Sequence, residues 1–218
     1  MRFSERIGLP CRTMALGIFV GVLGSATAAS AEQLDLSAAP VVASSQENAT
    51  HVPRNAFDSN ASTRWSSART DPQWLYVDLG LLHTLNQVTI DWETAAGRDY
   101  KLYVTASSTA PDPNTNLASW TEVASVTGRT GVVGAGAAAA DDTFNFDTGA
   151  FTANAGSADS ASVSVNPQAR FLMMYGTARA TIYGYSIREE VVSATPVPEP
   201  GALGVMAVAA IGLLRRRR

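Results

Sequence analysis

A short polar segment, residues 55–63, has the composition of a cation-binding turn. Its sequence is NAFDSNAST, and its one carboxylate is Asp58. Calcium takes about six to eight oxygen ligands, many of them backbone carbonyls, and a tight turn with one or two carboxylates can supply them. A single acid is too few for strong binding, so a second carboxylate is needed, and Glu189 on the last predicted strand is the candidate. The alternative is an Asx-turn between Asp58 and Asn60 without a metal.

A second group of side chains is suited to binding a sugar. Tyr183 and Tyr185 flank Gly184 in the connection before the last predicted strand. A tyrosine ring offers a flat apolar face and a hydroxyl group, which suit the C–H face and the hydroxyls of a sugar ring. Glu47 lies in the loop after the first predicted strand, and Glu93 ends a later one. For both glutamates the alternative is ordinary solvation.

Other conspicuous side chains have structural alternatives. Arg64 follows the polar turn and is a ligand candidate, with a structural salt bridge to Asp58 or Asp78 as the alternative. His51 and His83 have no partners at metal-binding spacing and are expected at the surface. The four tryptophans lie in or next to apolar strand patterns and are expected in the core rather than on a sugar platform; they are Trp65, Trp74, Trp92 and Trp120.

Between the ends, the chain has the pattern of an all-β domain. No segment between residues 32 and 195 has a long amphipathic helical pattern. Many short strands without βαβ spacing predict a sandwich or jelly roll. Short apolar or alternating runs occur at residues 40–43, 74–79, 88–92, 100–105, 120–126, 171–175 and 185–192.

Residues 128–156 depart from this pattern because they are rich in Gly, Ala, Thr and Asp. This composition predicts a long, mobile excursion from the sandwich, with one edge strand near residues 144–146. The acids Asp141, Asp142 and Asp147 are expected to be solvated loop carboxylates, with a second cation site as the alternative.

The N-terminal residues 1–31 have the pattern of a secretory signal peptide. Three arginines precede an apolar stretch and then an Ala-Ser-Ala motif, which predicts cleavage after Ala31. The single cysteine, Cys11, precedes the apolar stretch, so lipidation is not expected. The mature chain then has no disulfide, and its domain must be held by its core, by a metal, or by both.

The C-terminal residues have the pattern of a membrane-sorting tail. Pro198, Glu199 and Pro200 precede an apolar run at residues 201–214 and four terminal arginines. The prolines delay the start of a helix, and the arginines stay on the cytoplasmic side of a membrane. Fourteen helical residues reach only about 21 Å, short of a hydrocarbon core of about 30 Å, which favours transient anchoring. The alternative is an ordinary permanent anchor.

The net charge of the domain bears on which partners it can bind. Three of the 16 Lys and Arg lie in residues 1–31, and four lie in residues 201–218. Of the 19 acids, only Glu5 lies in these two segments. The remaining domain has nine bases and 18 acids, a net charge near −9. No basic patch is evident for a phosphate backbone, so nucleic-acid binding is disfavoured. Neutral or cationic glycans are favoured over polyanionic ones, unless calcium bridges the polyanion to the domain.

Three motifs together resemble a known family. They are AFDSNASTRW at residues 56–65, PQWLYVDLG at residues 72–80 and YGYS at residues 183–186. They are similar to the coagulation factor V/VIII type C domain, also called the discoidin domain, and to the bacterial family 32 carbohydrate-binding modules. The resemblance covers about residues 36–192. It implies an eight-stranded antiparallel jelly-roll β-sandwich of the galactose-binding-like type. From the patterns of the two terminal segments, we also expect an apolar helix at each end of the precursor.

The resemblance also implies site residues. By similarity to family members with a metal, the calcium ligands are the carbonyls of Asn55, Asn60 and Arg188, the side chains of Asp58 and Glu189, and Thr63 through its carbonyl and hydroxyl. The sugar-contacting positions are Glu47, Arg64, Glu93 and Tyr183 or Tyr185, with Arg69 in the neighbouring loop. Calcium bound there joins the first loop to the final strand.

The tail resembles the PEP-CTERM sorting tail of Gram-negative bacteria that make exopolysaccharide, which implies cleavage by an exosortase-type protease near residues 198–200. The predicted organisation is a signal peptide (1–31), the discoidin-like domain (32–192), a linker with the Pro-Glu-Pro motif (193–200), and the sorting helix with its arginines (201–218).

We therefore expect an exported, calcium-stabilised carbohydrate-binding protein, sorted to the cell surface or to a matrix of exopolysaccharide. Signal peptidase and an exosortase-type protease would process it, with transient inner-membrane contact through residues 201–214.

No Gly-x-Ser-x-Gly or His-Glu-x-x-His motif supports catalysis, although Glu47 and Glu93 allow a glycosidase pair in principle. The alternative is a matrix or adhesion protein that binds protein or lipid, but residues 44–53 and 66–72 have few large apolar side chains for lipid insertion.

Overall fold

Alternating apolar and polar residues form β-strands throughout the described part of the chain, which is residues 30–130, 140–154 and 156–198 of a computed structural model. Two short 3-10 helices, Pro53–Phe57 and Leu117–Ser119, complete the secondary structure of these residues. The strands are β1 (Glu32–Gln33), β2 (Val41–Ala43), β3 (Trp65–Ser66), β4 (Gln73–Trp92), β5 (Gly97–Thr105), β6 (Thr121–Thr127), β7 (Ala140–Asn145), β8 (Ala150–Ala153), β9 (Ser160–Val163), β10 (Gln168–Arg179) and β11 (Ser186–Pro196).

The long strand β4 joins the two layers of a sandwich. Its first part, residues 73–78, pairs with β10, and residues 75–77 also pair with β2. Its second part pairs with β11 and β7, although residues 83–84 also pair with β10. The change of partners follows Gly80, whose φ of 82° lies in the left-handed region that favours glycine. The sequence predicts two separate strands here, whereas the structure joins them into one.

Each layer is antiparallel. One layer has the order β2, β4, β10, β5, β6, β9, and the other has β1, β11, β4, β7, β8. The all-β prediction and the antiparallel sandwich are confirmed. The described residues contain eleven strands compared with the eight predicted, since several are pieces of two to four residues. The helices predicted at the two ends lie outside the described residues.

The space between the layers is filled by aromatic and branched side chains. Trp65 and Trp92 are fully buried there, together with Leu75, Ile90 and Leu102. Trp74 and Trp120 are 7% and 4% exposed and belong to a second cluster, with Phe171 and Met173. The prediction that all four tryptophans are core residues is confirmed. None of the four is available as an exposed sugar platform.

Residues 140–153 of the Gly/Ala-rich segment belong to the sandwich, whereas residues 131–139 of the predicted excursion lie outside the described residues. β7 pairs with β4, and β8 pairs with β7, so these residues are a hairpin on the sheet rather than an excursion. Asp142, predicted to be a solvated carboxylate, is instead fully buried. It pairs with the buried Arg129 at 2.8 Å and accepts hydrogen bonds from Tyr100 Oη and Trp92 Nε1. Side chains from separate segments thus satisfy one buried carboxylate.

The ends of the domain are joined by β1 and β11. β1 begins directly after Ala31, and its residues pair with Ser193 and Ala194. β11 extends to Pro196, four residues beyond residue 192, where the predicted domain ends. Pro198 is described, whereas Glu199, Pro200 and residues 201–218 are not. Within the described residues there is no helix of the length and hydropathy that a membrane crossing requires.

Candidate functional site

A pocket of about 480 Å³ lies between the loops that follow β2, β3 and β4 and the loop that precedes β11. Five of the six residues predicted to contact a sugar are among its walls. The lining residues are Glu47, Arg64, Ser66, Arg69, Glu93, Thr94, Ala95, Thr181, Tyr183, Gly184 and Ser186. The structure therefore brings together side chains from four separate segments of the chain.

The two-residue strand β3 fixes the loops around the pocket. Ser66 pairs with Ser186 of β11, and their hydroxyl oxygens lie 2.8 Å apart. The backbone N–H of Glu47 donates to the carbonyl of Ser66 at 2.7 Å, and that of Glu93 donates to the carbonyl of Ser186 at 2.9 Å. Backbone hydrogen bonds thus set the positions of both glutamates. Ser66 and Ser186 were not predicted, because nothing local indicates that these segments pair.

Glu47 is held by two neighbours. Its Oε1 accepts a hydrogen bond from Arg69 Nη2 at 3.2 Å, and its Oε2 lies 3.0 Å from His51 Nδ1. The hydrogen bond from Arg69, followed by that from His51, lowers the pKa of Glu47. The Arg69 guanidinium carbon lies 5.1 Å from the centre of the Tyr183 ring, within cation–π distance. An ionised carboxylate, a cation and an aromatic face therefore meet inside the pocket.

Arg64 and Glu93 have weaker contacts. Arg64 Nε donates to Ser66 Oγ at 3.3 Å, and Glu93 Oε2 accepts from the N–H of Ala95 at 3.2 Å. The alternative salt bridge of Arg64 to Asp58 or Asp78 is not formed among the described residues, and Asp78 pairs instead with Arg170. Both side chains retain hydrogen-bonding capacity toward the pocket.

The prediction that Tyr185 is a surface aromatic is wrong. Its side chain is fully buried, and its hydroxyl donates to Asp71 Oδ1 at 2.7 Å. A Cβ at position 176 would lie 2.3 Å from the Tyr185 ring, so Gly176 provides the space that the ring fills. Tyr183, two residues earlier, is 51% exposed and lines the pocket. Only one of the two tyrosines can therefore contact a ligand.

Two further residues position Tyr183. Arg179 Nε pairs with Asp71 Oδ2 at 3.2 Å, and its Nη1 donates to the carbonyl of Tyr183 at 3.2 Å. Asp71 therefore joins the loop after β3 to the end of β10 through Arg179 and to the loop before β11 through Tyr185. Sequence analysis missed both residues, because 108 positions separate them and neither belongs to a motif.

Neither histidine is the plain surface residue that the sequence predicts. His83, expected at the surface, is 5% exposed, and its Nδ1 lies 2.9 Å from the carbonyl of Leu81. It is on β4, where it pairs with Ala169 of β10. His51 is largely covered and contacts Glu47, so it belongs to the surroundings of the pocket.

The polar turn at residues 58–63 meets the last strand. Asp58 Oδ1 accepts from the N–H of Asn60 at 3.0 Å, which forms an Asx-turn, and Asp58 Oδ2 accepts from Thr63 Oγ1 at 2.8 Å. Glu189 Oε1 accepts from the same N–H of Asn60 at 2.5 Å. Burial, followed by the neighbouring Asp58 carboxylate, raises the pKa of Glu189 to about 7. The two predicted carboxylates therefore converge on one backbone nitrogen.

The remaining predicted ligands are compatible with this arrangement. Arg188 lies at a register shift between Ile187 and Glu189, and a bulge of this kind leaves a backbone position outside the ladder. The Asn55 side chain donates to the carbonyls of Thr50 and Arg64 and so fixes the start of the turn. The described residues contain no group of three or more His, Cys, Asp and Glu side chains suited to a metal. A cation here would need hydroxyl and carbonyl oxygens in addition to two carboxylates, which is the donor set that calcium accepts.

Two segments of the chain match known families. Residues 55–153 match the F5/F8 type C family described as a NedA-like, galactose-binding domain. Residues 196–218 match the PEP-CTERM protein-sorting motif. No curated protein sequence matches the chain.

Several solved structures are similar. A mutant of chitosan-binding module 1, from a chitosanase/glucanase of Paenibacillus sp. IK-5, is 33% identical over 74% of this chain and 99% of its own, with a TM-score of 0.54. Chitosan-binding module 2 of the same enzyme, in complex with chitotriose, is 32% identical over 73% and 96%, with a TM-score of 0.50. The family 32 carbohydrate-binding module of C. perfringens NanJ, in complex with galactose, is 17% identical over 75% and 99%, with a TM-score of 0.52, and shows the fold alone.

Proposed function

Because the chain belongs to the F5/F8 type C family of NedA-like, galactose-binding domains, we propose that it is an exported, non-catalytic protein that binds a polysaccharide in the pocket between Glu47 and Tyr183. One observation carries this proposal. Five side chains that the family resemblance assigns to sugar contact come from distant segments and line one pocket.

The chemistry of the pocket suits a saccharide. The half-exposed Tyr183 ring offers an apolar face, and carboxylates and guanidinium groups offer acceptors and donors for hydroxyls. Polar groups around one aromatic face are the usual means by which a shallow site orients a small polar ligand. Such a site gives weak affinity alone, so many copies on a surface would provide avidity.

The favoured ligand is a polymer of amino sugars. Two of the solved relatives above 30% identity are named as chitosan-binding modules. In this chain Glu47 is an ionised carboxylate in the pocket, and the domain between the sorting segments is acidic. Both features favour a cationic or neutral sugar over a polyanionic one.

A general-acid role for Glu47 is not supported. A glycosidase general acid needs a carboxyl group whose pKa is raised so that it holds a proton near neutral pH. The pKa of Glu47 is instead lowered by its hydrogen bonds from Arg69 and His51. Both Glu47 oxygens are occupied by these partners, as expected for a group that binds rather than donates a proton.

We further propose that calcium binds between Asp58 and Glu189. The support is the convergence of both carboxylates, together with the Thr63 hydroxyl, on the turn that contains Asn60. Burial of Glu189, followed by the adjacent Asp58 carboxylate, raises the pKa of Glu189, so a cation between the two carboxylates would favour their ionised forms. Bound calcium would supply this charge and would join the turn to β11, next to the segment that contains Arg64.

The PEP-CTERM match supports export and sorting. We propose delivery to the cell surface or to an exopolysaccharide matrix of a Gram-negative bacterium, with a transient inner-membrane stage and exosortase-type processing. Binding of a matrix polysaccharide there would retain the protein outside the cell.

A glycan array tests the proposal with the full chain and the variants Glu47→Ala and Tyr183→Ala. We expect binding to a polysaccharide that both substitutions abolish, at unchanged melting temperature. Binding to a protein or a lipid vesicle, with no glycan bound, would reject carbohydrate recognition and support the adhesion alternative.

A further inference from the structure

A positively charged side chain of this chain lies where a sugar would bind. Arg69 extends across the pocket, where its guanidinium group contacts Glu47 at 3.2 Å and lies 5.1 Å from the centre of the Tyr183 ring. The carboxylate and the aromatic face are the two features of the pocket best suited to hold a ligand. Both are engaged by the same internal group.

The backbone on either side of Arg69 is fixed, whereas its side chain is accessible. The N–H of Ala68 donates to Ser45 Oγ at 2.8 Å, and Thr70 Oγ1 accepts from Gln73 Nε2 at 2.8 Å. The Arg69 side chain, in contrast, is 57% exposed and has one ion pair. Withdrawal of this side chain from the pocket therefore requires a rotamer change without any rearrangement of the loop.

The contacts that hold Arg69 are individually weak. An exposed ion pair contributes about 0–1 kcal/mol, and an exposed cation–π contact is of similar size. A ligand that forms the same two contacts can therefore displace the guanidinium group. A sugar with an ammonium group is such a ligand, because it offers a cation to Glu47 and a C–H face to Tyr183.

From this geometry we infer that Arg69 is an internal competitor for the sugar site, and that it sets both the affinity and the charge selectivity of the pocket. The inference rests on the carbohydrate-binding function proposed above. Amino sugars replace the guanidinium group at Glu47 and Tyr183, and neutral sugars replace it at Tyr183 alone. Acidic sugars do not displace Arg69 but pair with it. Removal of the Arg69 side chain therefore increases the affinity for cationic ligands and decreases the affinity for anionic ligands.

The test is a titration of the full chain, held on a sensor surface, with three oligosaccharides of similar length. They are a β-1,4-linked glucosamine trisaccharide, its N-acetylated form without the ammonium groups, and a mannuronate trisaccharide. The variants are Arg69→Ala and, as a matched control, Arg98→Ala. Arg98 is 56% exposed and pairs with Asp99 at 3.0 Å outside the pocket, so its removal changes the net charge equally.

We expect Arg69→Ala to tighten binding of the glucosamine trisaccharide about three- to thirtyfold, which corresponds to the two lost contacts. The gain should be smaller for the N-acetylated form, and mannuronate binding should weaken or vanish. Arg98→Ala should leave all three affinities within about twofold of the wild type, because its charge lies outside the site.

Two other results would contradict the inference, and they differ in what else they contradict. Wild-type binding of the glucosamine trisaccharide that is weakened or unchanged by Arg69→Ala would overturn the competitor role and leave the proposed function intact. Absence of binding of every oligosaccharide by the wild type and by both variants would overturn the inference and the proposed amino-sugar ligand together, whereas the glycan array decides carbohydrate recognition itself.

Discussion

Asp58 and Glu189 come from opposite ends of the domain sequence, yet their carboxylates accept hydrogen bonds from the same backbone N–H, that of Asn60, at 3.0 and 2.5 Å. Two like charges this close are unfavourable unless one is protonated or a cation lies between them. The burial of Glu189 increases this cost. The contact therefore has two states: a protonated pair that the hydrogen bonds hold, or an ionised pair that calcium bridges.

The first prediction is that calcium raises the melting temperature of the protein. At 100 times its dissociation constant, a ligand stabilises the folded state by about 2.7 kcal/mol. For a domain of this size that is about 5–10 °C in Tm. The measurement is a calorimetric melt in calcium and again in excess chelator. An unchanged melt would reject the site.

The calcium effect should depend on both carboxylates. Asp58→Asn lowers stability even in chelator, because Asp58 also accepts hydrogen bonds from Asn60 and Thr63. The diagnostic quantity is therefore the difference between the two melts, which Asp58→Asn and Glu189→Gln should each abolish. Glu122→Gln is the matched control, because Glu122 is an exposed acid paired with Lys101 far from the turn. Its calcium-dependent difference should equal that of the wild type.

The second prediction separates the two tyrosines. Tyr183→Ala should abolish glycan binding with little change in stability, because the ring is half exposed. Tyr185→Ala should instead destabilise the fold by about 3–5 kcal/mol, as large aromatic truncations in cores do. Urea denaturation beside a glycan titration measures both quantities. A stable Tyr185→Ala protein that has lost binding would show that this ring, and not Tyr183, contacts the sugar.

The local pattern around these tyrosines explains why only part of the site was predictable. The motif YGYS places two tyrosines symmetrically about a glycine, and no local feature distinguishes them. Their different positions are set by distant residues: Gly176 leaves room for the Tyr185 ring, and Asp71 accepts a hydrogen bond from the Tyr185 hydroxyl. The family resemblance predicted that Glu47 and Glu93 lie close together, because it implies which loops meet at one end of the sandwich. The periodicity of apolar residues does not contain this information.

The same reasoning applies to the fold. Strands with strong apolar alternation were predicted correctly, as was the burial of all four tryptophans. β7 and β8 were mostly missed because Gly, Ala and Asp are poor strand formers by composition. Asp142 is buried only because Arg129, Tyr100 and Trp92 surround it, and these residues come from three other segments. Burial of this kind depends on tertiary partners that a single sequence does not reveal.

The third prediction concerns Gly184, which lines the pocket. A Cβ at this position would lie 2.1 Å from the carbonyl oxygen of Ser67, so Gly184→Ala must push β3 and the loop before β11 apart. We expect loss of glycan binding together with a lower Tm. The control is Gly80→Ala, where the space is open and the cost, about 1–2 kcal/mol, comes only from the positive φ. Gly80→Ala should keep full glycan affinity; equal loss in both variants would show that general destabilisation is the cause.

The fourth prediction is a pH dependence of stability that arises from Glu190. This side chain is 4% exposed, lies opposite Ile90 on the core face of β11, and its Oε2 has no hydrogen-bond partner among the described residues. Burial raises its pKa to about 8. Between pH 4.5 and 8 the folded state therefore keeps a proton that the unfolded state releases, and stability falls as pH rises through this window.

The size of this effect is about 3 kcal/mol between pH 4.5 and 7, at about 1.4 kcal/mol per pH unit. Glu190→Gln should remove the slope, because the amide does not titrate. Urea denaturation in chelator from pH 4.5 to 8 measures it, with both proteins in a Glu189→Gln background so that the neighbouring carboxyl does not contribute. Parallel stability curves for the two proteins would show that Glu190 is ionised at neutral pH, and that water or a rearranged polar group solvates it.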